Sequence, residues 1–175
     1  AYGVKAFIEN KRADVNLLPI IKDDLDSISD SIKRSLDYDL IITIGGASVG
    51  KFDLVYDAAI NAGIEFSFTE VNMRPGKPFK AGKKASTLFF SLPGNPVSSL
   101  ICSQIFLGPA LEKFRGKSHH HPKREAYLLE SLRKNGSRKH FMRSKLIKRA
   151  GQLYVKPFTN QDSHNLAVLS KANFG

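Results

Sequence analysis

Asp39-Leu-Ile-Ile-Thr-Ile-Gly-Gly-Ala-Ser-Val-Gly-Lys-Phe-Asp53 is an apolar run that ends in a glycine loop, and beyond it a helix pattern begins. Leu40 to Ile44 lack period-two alternation, which suits a strand covered by helices on both faces of a parallel sheet. The chain turns at Gly45 and Gly46 and restarts near Asp53, a residue type that caps helix N-termini. In open α/β sheets ligands sit beyond the carboxyl ends of the strands. The loop holding Gly45, Gly46, Ser48 and Gly50 therefore lies where a ligand is expected. Taken alone, the loop reads equally well as a plain strand-to-helix turn.

On the N-terminal side, Val4, Phe7 and Ile8 share one helical face over residues 1–10, with no cap ahead of them, so the chain reads as starting inside a helix. Val15, Leu17, Leu18 and Ile20 predict a strand over 14–21. Asp23 or Asp24 then caps a helix whose Leu25, Ile28, Ile32 and Leu36 recur at spacings of three and four. On the other side of the anchor stretch, Val55, Ala58, Ala59 and Ala62 predict a helix over 54–62 that stops at Gly63. Strands and helices alternating in this order predict right-handed crossovers and an α/β sheet. A half-buried strand is expected over 65–71, where Phe66 and Phe68 alternate with polar residues, and a short buried strand over 88–92.

Two further stretches carry chemistry. In Asn72-Met-Arg-Pro-Gly-Lys-Pro-Phe79 the Pro-Gly pair sets a tight bend flanked by Arg74 and Lys77, so both cations can face one pocket or simply stand exposed. In Pro93-Gly-Asn-Pro96, Asn95 is a good N-cap and Pro96 a good first helical residue for a helix holding Val97 and Ser98. Free N–H groups and the positive helix end then point beyond the strand. The glycine loop and this second loop thus offer donors to an anion from two strand-loop-helix units. The second helix continues through Ile101, Ile105 and Phe106, is disturbed at Gly108-Pro109 and resumes with Leu111 and Phe114.

The formal charge of +11 is unevenly placed. Residues 1–112 carry 12 Lys/Arg against 13 Asp/Glu, and residues 113–156 carry 14 against 2. The shift near Phe114, followed by Arg115-Gly-Lys-Ser-His-His-His-Pro122, predicts a domain of residues 1–116, a linker of 117–121 and a second module of 122–175. Short alternating segments over 126–132, 141–148 and 152–157 predict that this module is all-β and barrel-like. Adjacent His119, His120 and His121 cannot all aim at one ion. The single cysteine, Cys102, sits among Leu100, Ile101 and Ile105 and reads as a buried structural thiol. No stretch approaches the roughly 20 apolar residues of a membrane span and no signal layout opens the chain, so a cytoplasmic protein without membrane partners is expected.

Gly45-Gly-Ala-Ser-Val-Gly50 with Asp53, then Met73-Arg-Pro-Gly-Lys-Pro78, then Leu92-Pro-Gly-Asn-Pro-Val97, in this order and spacing, resemble the molybdopterin molybdenumtransferases, the family of bacterial MoeA and the C-terminal part of gephyrin. Phe141-Met-Arg143, Gln161-Asp-Ser-His-Asn-Leu166 and Ala172-Asn173 are similar to that family's C-terminal module. The resemblance implies a three-layer α/β/α molybdopterin-binding domain followed by a small β module lacking its last strands. It also implies that a first strand and two further domains precede Ala1. The implied reaction inserts molybdenum from molybdate into adenylated molybdopterin with Mg²⁺-dependent release of AMP, in a homodimer served by a molybdopterin-adenylylating partner.

By the same resemblance Asp53, Arg74 and Lys77 are catalytic, with Asp53 the Mg²⁺ ligand. Gly45, Gly46, Ser48, Gly50, Pro93, Gly94, Asn95, Pro96, Ser98 and Ser163 bind the cofactor. Glu70 stands four residues before Arg74, where the family often has lysine, and puts an anion where a cation is expected. Two other readings remain. One is the adenylating relative that transfers AMP onto molybdopterin, against which the second module and the Arg-Pro-Gly-Lys-Pro turn speak. The other is a nucleic-acid-binding or scaffolding role for the basic segment, which has little aromatic interleaving and is mostly a solvated face.

Overall fold

The computed structural model describes residues 1–46, 53–118, 123–132, 136–162 and 166–172. Helix α1 (Tyr2–Asn10) is followed by α2 (Leu25–Arg34), whose first turn is closed by Asp24 Oδ1 accepting the Ser27 N–H at 2.8 Å. Strand β1 (Leu40–Ile44) leads to α3 (Leu54–Asn61), β2 (Glu65–Phe68), a short β3 (Met73–Arg74), β4 (Lys80–Lys84) and β5 (Thr87–Leu92). One sheet has the order β1-β5-β4-β2. The β1–β5 pair is parallel, with Ile44 opposite Leu92, and the β4 pairs are antiparallel. Helices cover both faces. Ile41 and Phe89 pack with Ile28, Ile32, Val55, Ala58 and Ala59 of α2 and α3. On the opposite face Phe90 and Leu92 pack with Val4, Ile8, Cys102, Leu107 and Leu111. This is the expected three-layer α/β/α arrangement. Phe79 is its most heavily used ring, stacked on Phe106 at 4.3 Å and edge-on to Phe90 at 5.3 Å. Burying such a side chain contributes roughly 1.5–3 kcal/mol.

Helix α4 (Pro96–Cys102) runs without a break into a π-helical turn (Ser103–Leu107) and α5 (Gly108–Phe114). The disturbance expected at Gly108-Pro109 is therefore absorbed in the turn before it, where a wider helix frees the backbone ahead of the proline.

One expected strand is absent and another, unexpected, takes a place in the sheet. Residues 14–21 form no strand. No other segment pairs with their backbone among the described residues, and Ile20 is fully exposed although Val15 packs on the core. Strand β4, unforeseen, sits between β5 and β2 instead. Its Lys-Ala-Gly-Lys-Lys text has no apolar period, so pairing on both sides defines it.

The C-terminal module is the small sheet unit expected, with one short helix added after its strands. It holds β6 (Tyr127–Leu128), β7 (Lys139–His140), β8 (Ser144–Arg149) and β9 (Gln152–Pro157), ordered β6-β9-β8 in a three-stranded sheet, and then a short helix α6 (Leu166–Lys171). Strand β7 pairs with β3 of the α/β layer, Met73 opposite Lys139 and Arg74 opposite His140. The basic module is thus stitched to the Arg-Pro-Gly-Lys-Pro turn by backbone hydrogen bonds.

Candidate functional site

The described start of the glycine loop, Gly45, lies against the second loop. Gly45 N–H donates to the Leu92 carbonyl at 3.2 Å, and a Cβ placed on Gly94 would stand 3.2 Å from the Gly45 Cα. Only two residues without side chains let the backbones approach this closely. On one side of the contact Asn95 Oδ1 accepts the Ser98 N–H at 3.2 Å and its hydroxyl at 3.3 Å. Ser99 Oγ holds the Pro93 and Asn95 carbonyls, so the loop ahead of Pro96 is fixed from within. On the other side Asp53 caps α3, its Oδ1 accepting the Tyr56 N–H at 2.9 Å. Its second oxygen lies 2.7 Å from Lys80 Nζ, and both side chains are almost fully buried. Lys80 was not foreseen, because its position depends on the register of β4.

Arg74 and Lys77 open on a second region. A cavity of about 610 Å³ lies at the seam between the two parts of the chain. Residues 73–78 and Ser98 line it from one side, Arg138, His140, Thr159, Gln161 and Asp162 from the other. Its size is that of a pocket for a compact organic ligand. Lys77 also pairs with Glu70 at 3.2 Å, both side chains exposed, so Glu70 partly neutralises one of the two cations of the turn.

Arg143 adjoins this wall. Gln161 fixes its backbone from both ends, Oε1 accepting the Arg143 N–H at 2.9 Å and Nε2 donating to its carbonyl at 2.8 Å. Arg143 is 3% exposed, yet among the described residues Nε and both terminal guanidinium nitrogens find no hydrogen-bond partner. A buried arginine with unmet donors is costly unless something anionic arrives. Burial lowers its pKa, Asp162 opposes that shift, and Arg74 adds to it.

Burial also holds the His140 imidazole below its ordinary value of 6.5, reinforced by Arg74, Arg143 and Arg138. Folded His140 therefore resists a proton that the unfolded chain takes up near that pH. Its contribution to stability is complete above 6.5 and falls away as the pH drops below it. Urea unfolding between pH 7.5 and 5.5 should show wild type losing stability faster than His140→Gln. Parallel curves for the two proteins would contradict this.

Of the residues expected at the site, Arg74, Lys77 and Ser98 line the seam cavity. Gly45, Gly94, Asn95, Pro93, Pro96 and Asp53 cluster at the strand ends, with Gly46 beside Val55. Ser98 joins the two groups. Ser48, Gly50 and Ser163 lie outside the described residues, as do His119, His120 and His121. Arg138, His140, Arg143 and Gln161 were missed, since in sequence they belong to a scatter of polar and basic positions. Only the Phe141-Met-Arg143 and Gln161-to-Leu166 likenesses hinted at Arg143 and Gln161, and nothing hinted at Arg138 or His140.

Residues 1–113 match the family model described as a probable molybdopterin binding domain, and residues 125–173 match that of the MoeA C-terminal region (domain IV). Molybdopterin molybdenumtransferase 2 of Mycobacterium tuberculosis (strain H37Rv) is 37% identical over 149 residues, covering 81% of this chain and 36% of that protein. Molybdopterin molybdenumtransferase of Haemophilus influenzae is 31% identical over 176 residues, 98% of this chain and 43% of that protein. Gephyrin of Dictyostelium discoideum is 38% identical over 125 residues, 60% of this chain and 17% of that protein. The chain thus spans well under half the length of these relatives. Among solved structures, a molybdenum cofactor biosynthesis protein from Pyrococcus furiosus superposes with a TM-score of 0.73 at 21% identity, over 98% of this chain and 55% of that one. The MoeA protein of Pyrococcus horikoshii OT3 gives 0.72 at 20%, over 98% and 40%. With both domain models matched in order along the chain, and the fold shared with MoeA proteins, this chain belongs to the molybdopterin molybdenumtransferase family.

Proposed function

We propose that this chain is the molybdopterin-binding part of an enzyme of molybdenum cofactor biosynthesis that inserts molybdate-derived molybdenum into adenylated molybdopterin and releases AMP. The observation that carries this reading is the seam cavity, with the cations Arg74, Lys77 and Arg138 and one carboxylate, Asp162, on its walls and Arg143 beside it. Such a pocket suits a ligand that bears phosphate and admits a small oxyanion. In the proposed complex the glycine loop with Gly45, Gly46, Ser48 and Gly50 and the Pro93-Gly94-Asn95-Pro96 loop cradle the phosphates. Ser98, which lines the cavity, contacts the ligand, and Ser163 is a further binding residue of the same proposal. Arg74 and Lys77 stabilise the charge that grows on the departing AMP phosphate. Homodimerisation, an adenylylating partner enzyme and a cytoplasmic location belong to the same proposal; among the described residues no helix is long and apolar enough to cross a membrane.

Mg²⁺ dependence, which the resemblance implies, meets an obstacle at Asp53. Oδ1 accepts the Tyr56 N–H, and Oδ2 faces the Lys80 ammonium at 2.7 Å as an ion pair with no aligned hydrogen bond among the described residues. No three His, Cys, Asp or Glu side chains converge among the described residues. The described residues do not fit a resident divalent ion there, and the chemistry proposed above runs on this chain's cations and backbone donors.

Calorimetric titration with adenylated molybdopterin tests the proposal. Binding is expected, and Arg74→Ala should weaken it by roughly tenfold or more, as loss of a charge-assisted contact does. Absence of binding would refute it. Conversion of molybdopterin and ATP into adenylated molybdopterin by this protein would favour the adenylyltransferase reading instead.

A further inference from the structure

We infer that in this chain Lys80 takes the place of a divalent metal at Asp53, so that the fixed cation at the cap of α3 is an ammonium. The inference concerns the site proposed above and rests on that reading only for what enters the pocket. Register places Thr43, Ser91 and Lys80 in one row across β1, β5 and β4. Alternation along each strand puts this row on the face of Ile41 and Phe89, the face covered by α2 and α3. Lys80 therefore projects under the start of α3, where its cap Asp53 waits. Lysine is almost never buried without a partner. Here it is 7% exposed and meets Asp53 Oδ2 at 2.7 Å.

The same row carries two hydroxyls, Thr43 Oγ1 and Ser91 Oγ, that, like Asp53 Oδ2 itself, are buried without a hydrogen bond among the described residues, so Lys80 meets the carboxylate as an ion pair by proximity. The floor is thus polar, yet it contains a single carboxylate, already matched by a single ammonium. A metal bound at about 2.1 Å from Oδ2 would stand within about 5 Å of Nζ, two like charges in a buried site. The ammonium must leave before the metal can enter. Any divalent ion arriving with a phosphate-bearing ligand is then held by ligand oxygens and water, not by Asp53.

Mn²⁺ alone is the probe, followed by electron paramagnetic resonance on the intact protein, which needs no molybdopterin and so separates this inference from the proposed function. Wild type and Asp53→Asn should bind Mn²⁺ equally, since asparagine also caps helices. Lys80→Met should gain a site about tenfold tighter or better, and Lys80→Met/Asp53→Asn should lose it. Wild type binding Mn²⁺ tenfold more tightly than Asp53→Asn would overturn the inference, as would a folded Lys80→Met variant that gains nothing. Should Lys80→Met fail to fold, the ¹⁵N signal of the wild-type Lys80 ammonium decides: it should stay in place on adding Mg²⁺, and its displacement would overturn the inference.

Discussion

Replacing Arg143 with glutamine is expected to weaken molybdate binding by roughly 30- to 150-fold while making the ligand-free protein more stable. The two effects have one cause. The guanidinium is buried and none of its three nitrogens is hydrogen-bonded among the described residues, so the empty protein carries a desolvated charge that Asp162 offsets only through space. Asp162 lies close enough to raise its pKa but does not hydrogen-bond those nitrogens. In the complex proposed above, an oxyanion in the adjoining cavity meets the demand. Losing a buried charged contact to it costs about 2–3 kcal/mol of affinity, which is the fold-change stated. Without the anion, glutamine removes the charge and is expected to gain about 1–2 kcal/mol of stability.

The substitution leaves the backbone anchored, because Gln161 bonds the main chain of Arg143 and not its side chain. Thermal unfolding with and without molybdate separates the effects. Wild type should melt lower than Arg143→Gln when empty and gain more from saturating molybdate. An unchanged dissociation constant would remove Arg143 from the site, and a lower melting temperature for the empty variant would show that the guanidinium is satisfied in the fold.

The sequence spoke clearly where its signals were local. Asp24, the Leu25 to Leu36 spacing and Asn95-Pro96 are cap and period chemistry that each helix contains in itself, and the structure repeats them nearly residue for residue. The anchor strand was legible for the same reason. What stayed hidden needed contacts across the chain. Lys80 looks like one lysine in a basic run and is instead a buried counter-ion, a fact set by β4 pairing with β5 and by α3 lying overhead. Arg143 looks like one of many cations of a solvated face, and only the seam of β3 with β7 shows that it is interior. Residues 14–21 fail the other way. Their alternation is real, but a strand also needs an edge to pair with, and none reaches them among the described residues. Glu70 was visible as an anion out of place, whereas its pairing with Lys77 was not.

Gly76→Ala should be the most damaging single change in the Arg-Pro-Gly-Lys-Pro turn, costing about 2–4 kcal/mol of stability and disarming the cavity as well. Gly76 has φ +112°, a backbone conformation that a Cβ opposes. The added Cβ would also stand 2.6 Å from Cys102 Sγ and 3.1 Å from Met73 Cε. Backbone strain contributes roughly 1–2 kcal/mol and overpacking roughly 1–3 kcal/mol. Neither neighbour can yield easily, because Cys102 is 0% exposed and Met73 is tied into the β3–β7 seam. The turn must therefore move, taking Arg74 and Lys77 out of register with Arg138 and His140 across the cavity.

The two contributions can be separated with Cys102. Burial pushes its thiol pKa up to about 12, so it is a packing group and not a nucleophile, and Cys102→Ala should be mildly destabilising alone. Combined with Gly76→Ala it removes the sulfur that the new Cβ meets. The double variant should recover the overpacking part and leave the φ strain, a favourable coupling of about 1 kcal/mol or more in a double-mutant cycle. For a domain of this size, a loss of about 3 kcal/mol lowers the melting temperature by roughly 6–12 °C, well within reach of calorimetry. Wild-type stability in Gly76→Ala would mean that the turn adapts without cost, and additive effects in the cycle would mean that the sulfur is not what the Cβ meets.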